Sequence, residues 1–313
     1  MTEVKTNSLK AWFLAARPKT LTGAIVPVLI ALALAWHDLP DMYYIGGYHG
    51  INIVLKGAPF LWIPAILCLL FACLMQIDAN LINDYYDCVR GIDSEDRLGP
   101  ERACSQGWIT LPAMKKALYV VTALSALVGL PLILWGGWSM ILVGLACIVF
   151  CYLYTTLLSG KAMGDVLVIV FFGLVPVCAT YYLQTQTVTT NCFLLALGCG
   201  LATENLLIVN NFRDRETDKK HGKITLVTLI GERATLLLYL VCIIGAEALA
   251  QIAFYPCEHP WAQVLSILYL PLALLAWQKM RTIRHGRALN QVLGITALSI
   301  LIYGITVCIG ILY

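Results

Sequence analysis

Nine apolar runs punctuate this chain, at about residues 20–36, 59–82, 112–135, 138–158, 165–183, 191–211, 233–254, 261–279 and 290–312. An α-helix rises about 1.5 Å per residue, so roughly 20 apolar residues cross the hydrocarbon of a bilayer. Backbone polar groups must be satisfied internally there, and a helix does this within one segment. The runs therefore predict an all-α integral membrane protein with nine transmembrane helices. Composition agrees: of 313 residues 60% are hydrophobic and 12% charged, with a mean hydropathy of +0.80.

Basic residues orient such a bundle, because Lys and Arg concentrate on the cytoplasmic side. With the N-terminus inside, every one of the 21 Lys and Arg except Lys56 falls in an inner segment. The reading is a multi-pass protein of a bacterial inner membrane, with its C-terminus outside and membrane lipid as its surroundings. The basic residues are interleaved with acids in short loops, and no nucleic-acid module is recognisable, so nucleic acid is not expected as a partner. No obligate protein partner is evident. The twelve Cys form no CxxC pair and the five His no cluster, which argues for packing residues over a zinc site. Ahead of the first run, "SLKAWFLAARPKT" offers Ser8 as an N-cap and Pro18 as a break, predicting a short interfacial helix. The whole of 1–313 is read as one transmembrane domain, with 1–19 as a cytoplasmic N-terminal segment.

Three connections are long. The outer one, 37–58, is rich in Gly, Tyr and Pro and reads as a lid or an external loop. The other two, at 84–111 and 212–232, are expected to be cytoplasmic aspartate-rich loops, and they hold most of the acids. Asn83 precedes Asp87 by four residues, and Asn210, Asp214 and Asp218 step by four. Four-residue steps share a helical face. The second and sixth spans are thus expected to present matching polar faces, with Asn80, Asn83, Asp84 and Asp87 as one stripe and Asn211, Asp214 and Asp218 as the other.

Clustered carboxylates repel one another unless a cation joins them. Mg²⁺ characteristically bridges one or two carboxylates to a substrate phosphate. Two such stripes suit a metal diphosphate, with Arg90, Arg97, Arg102, Arg213, Lys219 and Lys223 meeting the remaining phosphate charge. An apolar surround points to a lipid diphosphate. Aromatic faces such as Tyr85 and Tyr154 are suited to the carbocation left when an allylic carbon–oxygen bond breaks.

At these residues the chain resembles a known family. "NDYYDCVRGIDSEDRLGPERACSQGWIT" and "VNNFRDRETDKKHGKITLVTLIGE" look like the two aspartate-rich signatures of the UbiA superfamily of intramembrane aromatic prenyltransferases. With "AARPKTL", "GDVLVIVFFGLVPV" and "YYLQT", they look most like its menaquinone-pathway branch. The resemblance implies nine helices around a central cavity and Mg²⁺ as cofactor. It also implies transfer of a polyprenyl group from its diphosphate to an aromatic ring carbon. In that branch the acceptor is 1,4-dihydroxy-2-naphthoate, which loses CO₂ to give demethylmenaquinol. Carried over by position, Asn83, Asp84, Asp87, Asp214 and Asp218 fit the metal motifs. Arg97 and Arg102 fit the basic positions that follow, and Lys161 stands where the family has a loop base.

There are departures. The superfamily's last motif-one Asp is replaced by Gly91, and the next acid is Asp93. The loop "YTTLLSGKAMGD" differs from the branch in its Gly and Pro elements, and Asp78 and Glu204 inside helices match no expected pattern. Two alternatives stay open: another acceptor such as 4-hydroxybenzoate or homogentisate, or an ion-coupled carrier using Asp78, Glu204 and Glu247.

Overall fold

The computed structural model describes residues 4–48, 51–91, 98–255 and 261–313. A short helix α1 (Leu9–Ala16) opens the chain, with the Ser8 hydroxyl accepting from the Ala11 N–H at 3.3 Å. A 3₁₀ turn begins at Pro18 and leads into α2 (Thr22–Asp38). Then come α3 (Trp62–Val89), α4 (Leu111–Gly136), α5 (Ser139–Leu158), α6 (Gly164–Thr185), α7 (Thr190–Lys220) and α8 (Leu226–Ala253). The chain closes with α9 (Trp261–Ile267), α10 (Leu270–Ile283) and α11 (Leu289–Leu312).

Among the described residues, eight helices are long and apolar enough to cross a membrane. The eighth expected run is the exception, because it is split into α9 and α10. Pro271 lies in the first turn of α10, where its missing N–H costs that helix nothing but prevents an unbroken continuation from α9. The buried Glu247 and the half-buried Gln251 of α8 hold this break: Ser266 Oγ donates to Glu247 at 2.7 Å, and Gln251 Nε2 donates to the Gln263 carbonyl at 2.7 Å.

The outer segment is not a plain loop. It contains a hairpin of β1 (Tyr43–Tyr48) and β2 (Ile51–Lys56), antiparallel, with Tyr43 opposite Lys56. The Gly57 N–H closes it on the Met42 carbonyl at 2.9 Å, and Lys56 pairs with Asp41 at 2.9 Å.

The burial of each helix tells where it stands. The most apolar stretch of α7 is 67% buried, and that of α5 only 6%. α7 is therefore the central helix, packed by α2, α6, α8 and α11, while α5 shows most of its surface to lipid. Close approach of α6 to α7 is made possible by glycine. A Cβ on Gly173 would stand 2.5 Å from the Ala196 carbonyl oxygen, and one on Gly200 2.8 Å from that of Ile169. Small residues at a helix crossing let backbones meet where lipid supplies no hydrophobic drive for association. The main core joins Val26, Ile30, Tyr181, Phe212, Tyr239 and Tyr303, and a second core at the α3 end joins Ala11, Ala15, Ile82, Ala103, Ile109 and Met114.

Both aspartate-rich segments begin as helix. α3 runs to Val89 and α7 to Lys220, so Asp84, Asp87, Asp214 and Asp218 sit on helical turns, which corrects their assignment to loops.

Candidate active site

At the end of α3 the expected stripe divides. Successive helical residues are about 100° apart, so offsets of 0, 3, 4 and 7 straddle a face rather than share one line. Asn80 is buried, and its amide donates to the Ala16 carbonyl at 3.0 Å and the Thr20 hydroxyl at 2.9 Å, which ties α3 to the entry of α2. Asp84 is wholly buried and accepts the N–H groups of Ala103 and Cys104 at 2.9 and 3.0 Å. Both of its oxygens are spent on the loop that folds back from residue 98. Asn80 and Asp84, expected as substrate and metal contacts, thus also anchor the fold through these hydrogen bonds.

Asn83 and Asp87 take the other flank. Asn83 accepts from the Thr155 hydroxyl at 2.7 Å, and Asp87 pairs with Arg102 at 2.6 Å. Arg102 also donates to the Asn83 carbonyl, so it clasps the helix end as well as its carboxylate. Arg90 donates to the carbonyls of Thr155 and Thr156 at 3.0 and 2.7 Å. A cation there complements the C-terminal carbonyls of α5, so Arg90, expected to meet phosphate, clamps that helix end. Tyr85, expected to face the substrate, stacks edge-to-face on Tyr86 at 5.2 Å against the second core. Arg97 lies outside the described residues, as do Asp93, Glu95 and Asp96.

The end of α7 keeps its pattern. Arg213 is buried and forks onto Asp214 at 2.8 and 2.6 Å while donating to Asn210 at 2.7 Å. Its remaining nitrogen donates to the Asn290 side chain at 2.8 Å, and Asn290 in turn donates to the Leu98 carbonyl at 2.8 Å. One amide at the start of α11 thereby joins the second motif to the loop that follows the first. Asp218 stands 3.5 Å from Lys223, and its Oδ2 is buried with no hydrogen-bond partner. Asn211 is buried, whereas Lys219 is exposed. The exposed Lys161 belongs to a turn docked on the second motif, since its backbone pairs with Ile224 and Gly160 lies against Lys223.

The end of α5 draws the two helix ends to one shared space, since Thr155 donates to Asn83 of α3 and the Lys161 turn pairs with Ile224 just beyond α7; Tyr154 lies beside them. Its hydroxyl stands in the field of Glu204, Asp165, Asp87 and Asp218, carboxylates from α7, α6, α3 and α7 respectively. It lies on the π-helical last turn of α5, Tyr154–Leu158, a distortion frequent at functional sites. Thr155 and Asn290 were missed from sequence, because an isolated Thr or Asn at a helix end carries no periodic signal.

Among the described residues, no three His, Cys, Asp or Glu side chains gather closely enough to hold a metal by themselves. The donors present are oxygens from two helices, one of them the orphaned Asp218 Oδ2. Such a set fits Mg²⁺ shared with a phosphate rather than a cage built of protein alone.

Comparison with known proteins agrees with this geometry. The model of the UbiA prenyltransferase family matches residues 24–301. A 1,4-dihydroxy-2-naphthoate octaprenyltransferase of Mycobacterium tuberculosis is 34% identical over 304 residues, covering 96% of each chain. One of Escherichia coli is 34% identical over 244 residues, covering 74% of this chain and 72% of its own. Among solved structures, a UbiA homolog from Aeropyrum pernix superposes with a TM-score of 0.67 at 13% identity, covering 91% of this chain and 97% of its own. A UbiA homolog from Archaeoglobus fulgidus bound to GPP and Mg²⁺ gives 0.61 at 18% identity, covering 95% and 99%. With its helices, its two acidic helix ends and 278 matched positions in accord, the chain belongs to the UbiA prenyltransferase family.

Proposed function

We propose that this protein transfers a polyprenyl group from polyprenyl diphosphate to a ring carbon of 1,4-dihydroxy-2-naphthoate, with loss of CO₂, giving demethylmenaquinol. The acceptor rests on relatives of that name at 34% identity, one of them aligned over nearly the whole chain. The observation that carries the chemistry is that the two motifs are held together, by Thr155 and the Lys161 turn on one side and by Asn290 between Arg213 and the Leu98 carbonyl on the other. The carrier alternative falls with the family assignment. Its three acids do not line a common path: Asp78 accepts from Thr122 at 2.7 Å, and Glu247 serves the α9–α10 break.

In this reading Asp87, Asp214 and Asp218, with Asn83, hold Mg²⁺ and the diphosphate between α3 and α7. The bound cation draws charge from the diphosphate oxygens and makes it a better leaving group. Each carboxylate already has a basic partner, Arg102 for Asp87, Arg213 for Asp214 and Lys223 for Asp218. A metal diphosphate brings both signs of charge, so carboxylates turn to the cation and bases to the phosphate, and the site stays balanced without burying a lone charge. Tyr154 then presents its ring and hydroxyl where the allylic cation forms. Arg97 and Lys161 are assigned to the diphosphate on the family resemblance alone.

We also assign the acidic ends to the cytoplasmic side of a bacterial inner membrane, because the basic residues collect there. The test is product analysis of membranes given Mg²⁺, one polyprenyl diphosphate and, separately, 1,4-dihydroxy-2-naphthoate, 4-hydroxybenzoate or homogentisate. A prenylated, decarboxylated naphthalenediol is expected by mass spectrometry. Product from either other acid with none from the naphthoate contradicts the assignment.

A further inference from the structure

Beneath the metal motifs, four buried oxygens have no donor from any group outside their own cluster: Oδ1 of Asp165, both carboxyl oxygens of Glu204, and Oδ1 of Asn205, with Asp165 and Glu204 bonded to each other. Glu204 is 2% exposed, Asn205 2% and Asp165 7%. The Asp165 and Glu204 carboxyl groups meet each other across the α6–α7 crossing, at the place the glycine contact brings those helices together. Tyr154 of α5 and Cys242 of α8 stand in their field. Among the described residues no Lys or Arg contributes to the charge balance at Glu204.

A proton shared between the two carboxyls leaves the remaining oxygens without donors, and each buried acceptor in that state costs about 1–3 kcal/mol. Such a cluster persists when something with donors completes it. A metal caged by protein side chains alone is a poor match, since among the described residues no third carboxylate, His or Cys gathers there. A small molecule carrying hydroxyl donors is a good one. The position decides which molecule: a Cβ on Gly164, the neighbour of Asp165, would stand 3.7 Å from the Tyr154 hydroxyl oxygen, and the next residue, Thr155, donates to Asn83 of the first motif, so the pair adjoins the proposed diphosphate site.

We propose that Asp165 and Glu204 form the docking point for the hydroxyl groups of the aromatic acceptor, and so fix which ring carbon faces the prenyl chain. This rests on the acceptor being a hydroxylated ring, as in the function proposed above. A hydroxyl donating to Glu204 pushes electron density into the ring. The ring carbon bonds to the allylic carbon as the bond from that carbon to the diphosphate oxygen breaks. The ring carboxylate then leaves as CO₂, and its bonding pair restores aromaticity. The hydroxyl proton is shared throughout and none is consumed. Binding and orientation of the acceptor are thereby separated from binding of the diphosphate.

The test compares wild-type protein with Glu204→Gln and Asp165→Asn in nanodiscs. Steady-state kinetics use 1,4-dihydroxy-2-naphthoate and its mono-methyl ethers, and binding of a prenyl thiolodiphosphate with Mg²⁺ is measured separately. Replacing an acceptor oxygen by an amide donor turns the carboxyl against a hydroxyl. We expect kcat/KM for the naphthoate to fall about 10- to 100-fold. The preference of wild type for a free hydroxyl over its methyl ether should shrink towards one, while thiolodiphosphate affinity stays within twofold. Unchanged kinetics and unchanged ether discrimination in both variants overturn the inference and leave the function standing. An equal loss of diphosphate binding, or failure of both variants to fold, makes the pair a structural element and also overturns it. A wild type that prenylates no hydroxylated ring overturns the function itself, and this inference with it.

Discussion

The ends of α3 and α7 carry the same four-residue spacing of Asn and Asp and use it differently. On α3 the polar residues are divided between holding the fold and facing the hollow. Asp84 is consumed by backbone N–H groups of the returning loop, and Asp87 is braced by Arg102 from that same loop. On α7 the bracing comes from the helix itself, through Arg213 beside Asp214, and from α11 through Asn290. The α3 site is therefore only as ordered as residues 98–110, whereas the α7 site is built into the central helix. A motif repeated in sequence need not repeat its division of labour.

The comparison is broken most sharply by the acids that face the hollow. Asp87→Asn and Asp218→Asn should each reduce prenyl transfer by about 10²- to 10³-fold, the scale lost when one group stabilising developing charge is removed. Chelation by EDTA should stop turnover and added Mg²⁺ restore it, measured as prenylated product in the same membranes. Asp84→Asn is the contrast. It should lower thermal stability, by about 1.5–3 kcal/mol for each charged hydrogen bond lost. The protein that remains folded should keep most of its turnover. Loss of turnover in a fully stable Asp84→Asn protein would show that this carboxylate works in the hollow.

A smaller effect tests the link between the two regions. Asn290→Ala removes the amide that joins Arg213 to the Leu98 carbonyl. KM for the prenyl diphosphate should rise by up to about 30-fold, as two hydrogen bonds at about 1 kcal/mol each would give, with kcat little changed. A fall in kcat alone would place Asn290 in the chemistry and outside diphosphate binding.

The helices and the polar ends were legible in sequence because both depend on local periodicity: apolar length for a span, four-residue steps for a face. Pro271 is a visible break, yet its effect on the eighth run depended on Glu247 and Gln251 being present to satisfy the opened turn. Spacing alone did not distinguish Asp84 from Asp87, because three residues of a helix turn through most of a circle and the returning loop decides which flank is covered. Nor does spacing reveal that Asn80 fastens α1 and the entry of α2 to α3. Arg90 shows the limit for bases, since a guanidinium serves helix carbonyls as readily as phosphate. Glu204 stood out in sequence as an acid inside a span, but only the α6–α7 crossing reveals Asp165 as its neighbour.

The central claim is that carboxylates from α3 and α7 grip one metal diphosphate together. A double-mutant cycle tests it directly, with Mg²⁺-dependent affinity for a prenyl thiolodiphosphate measured in wild type, Asp87→Asn, Asp218→Asn and the double variant. Residues serving one bound ion are coupled, so the double variant should bind about as weakly as the poorer single one. Losses that simply add would mean that the two helix ends act on separate ligands, and would contradict the account.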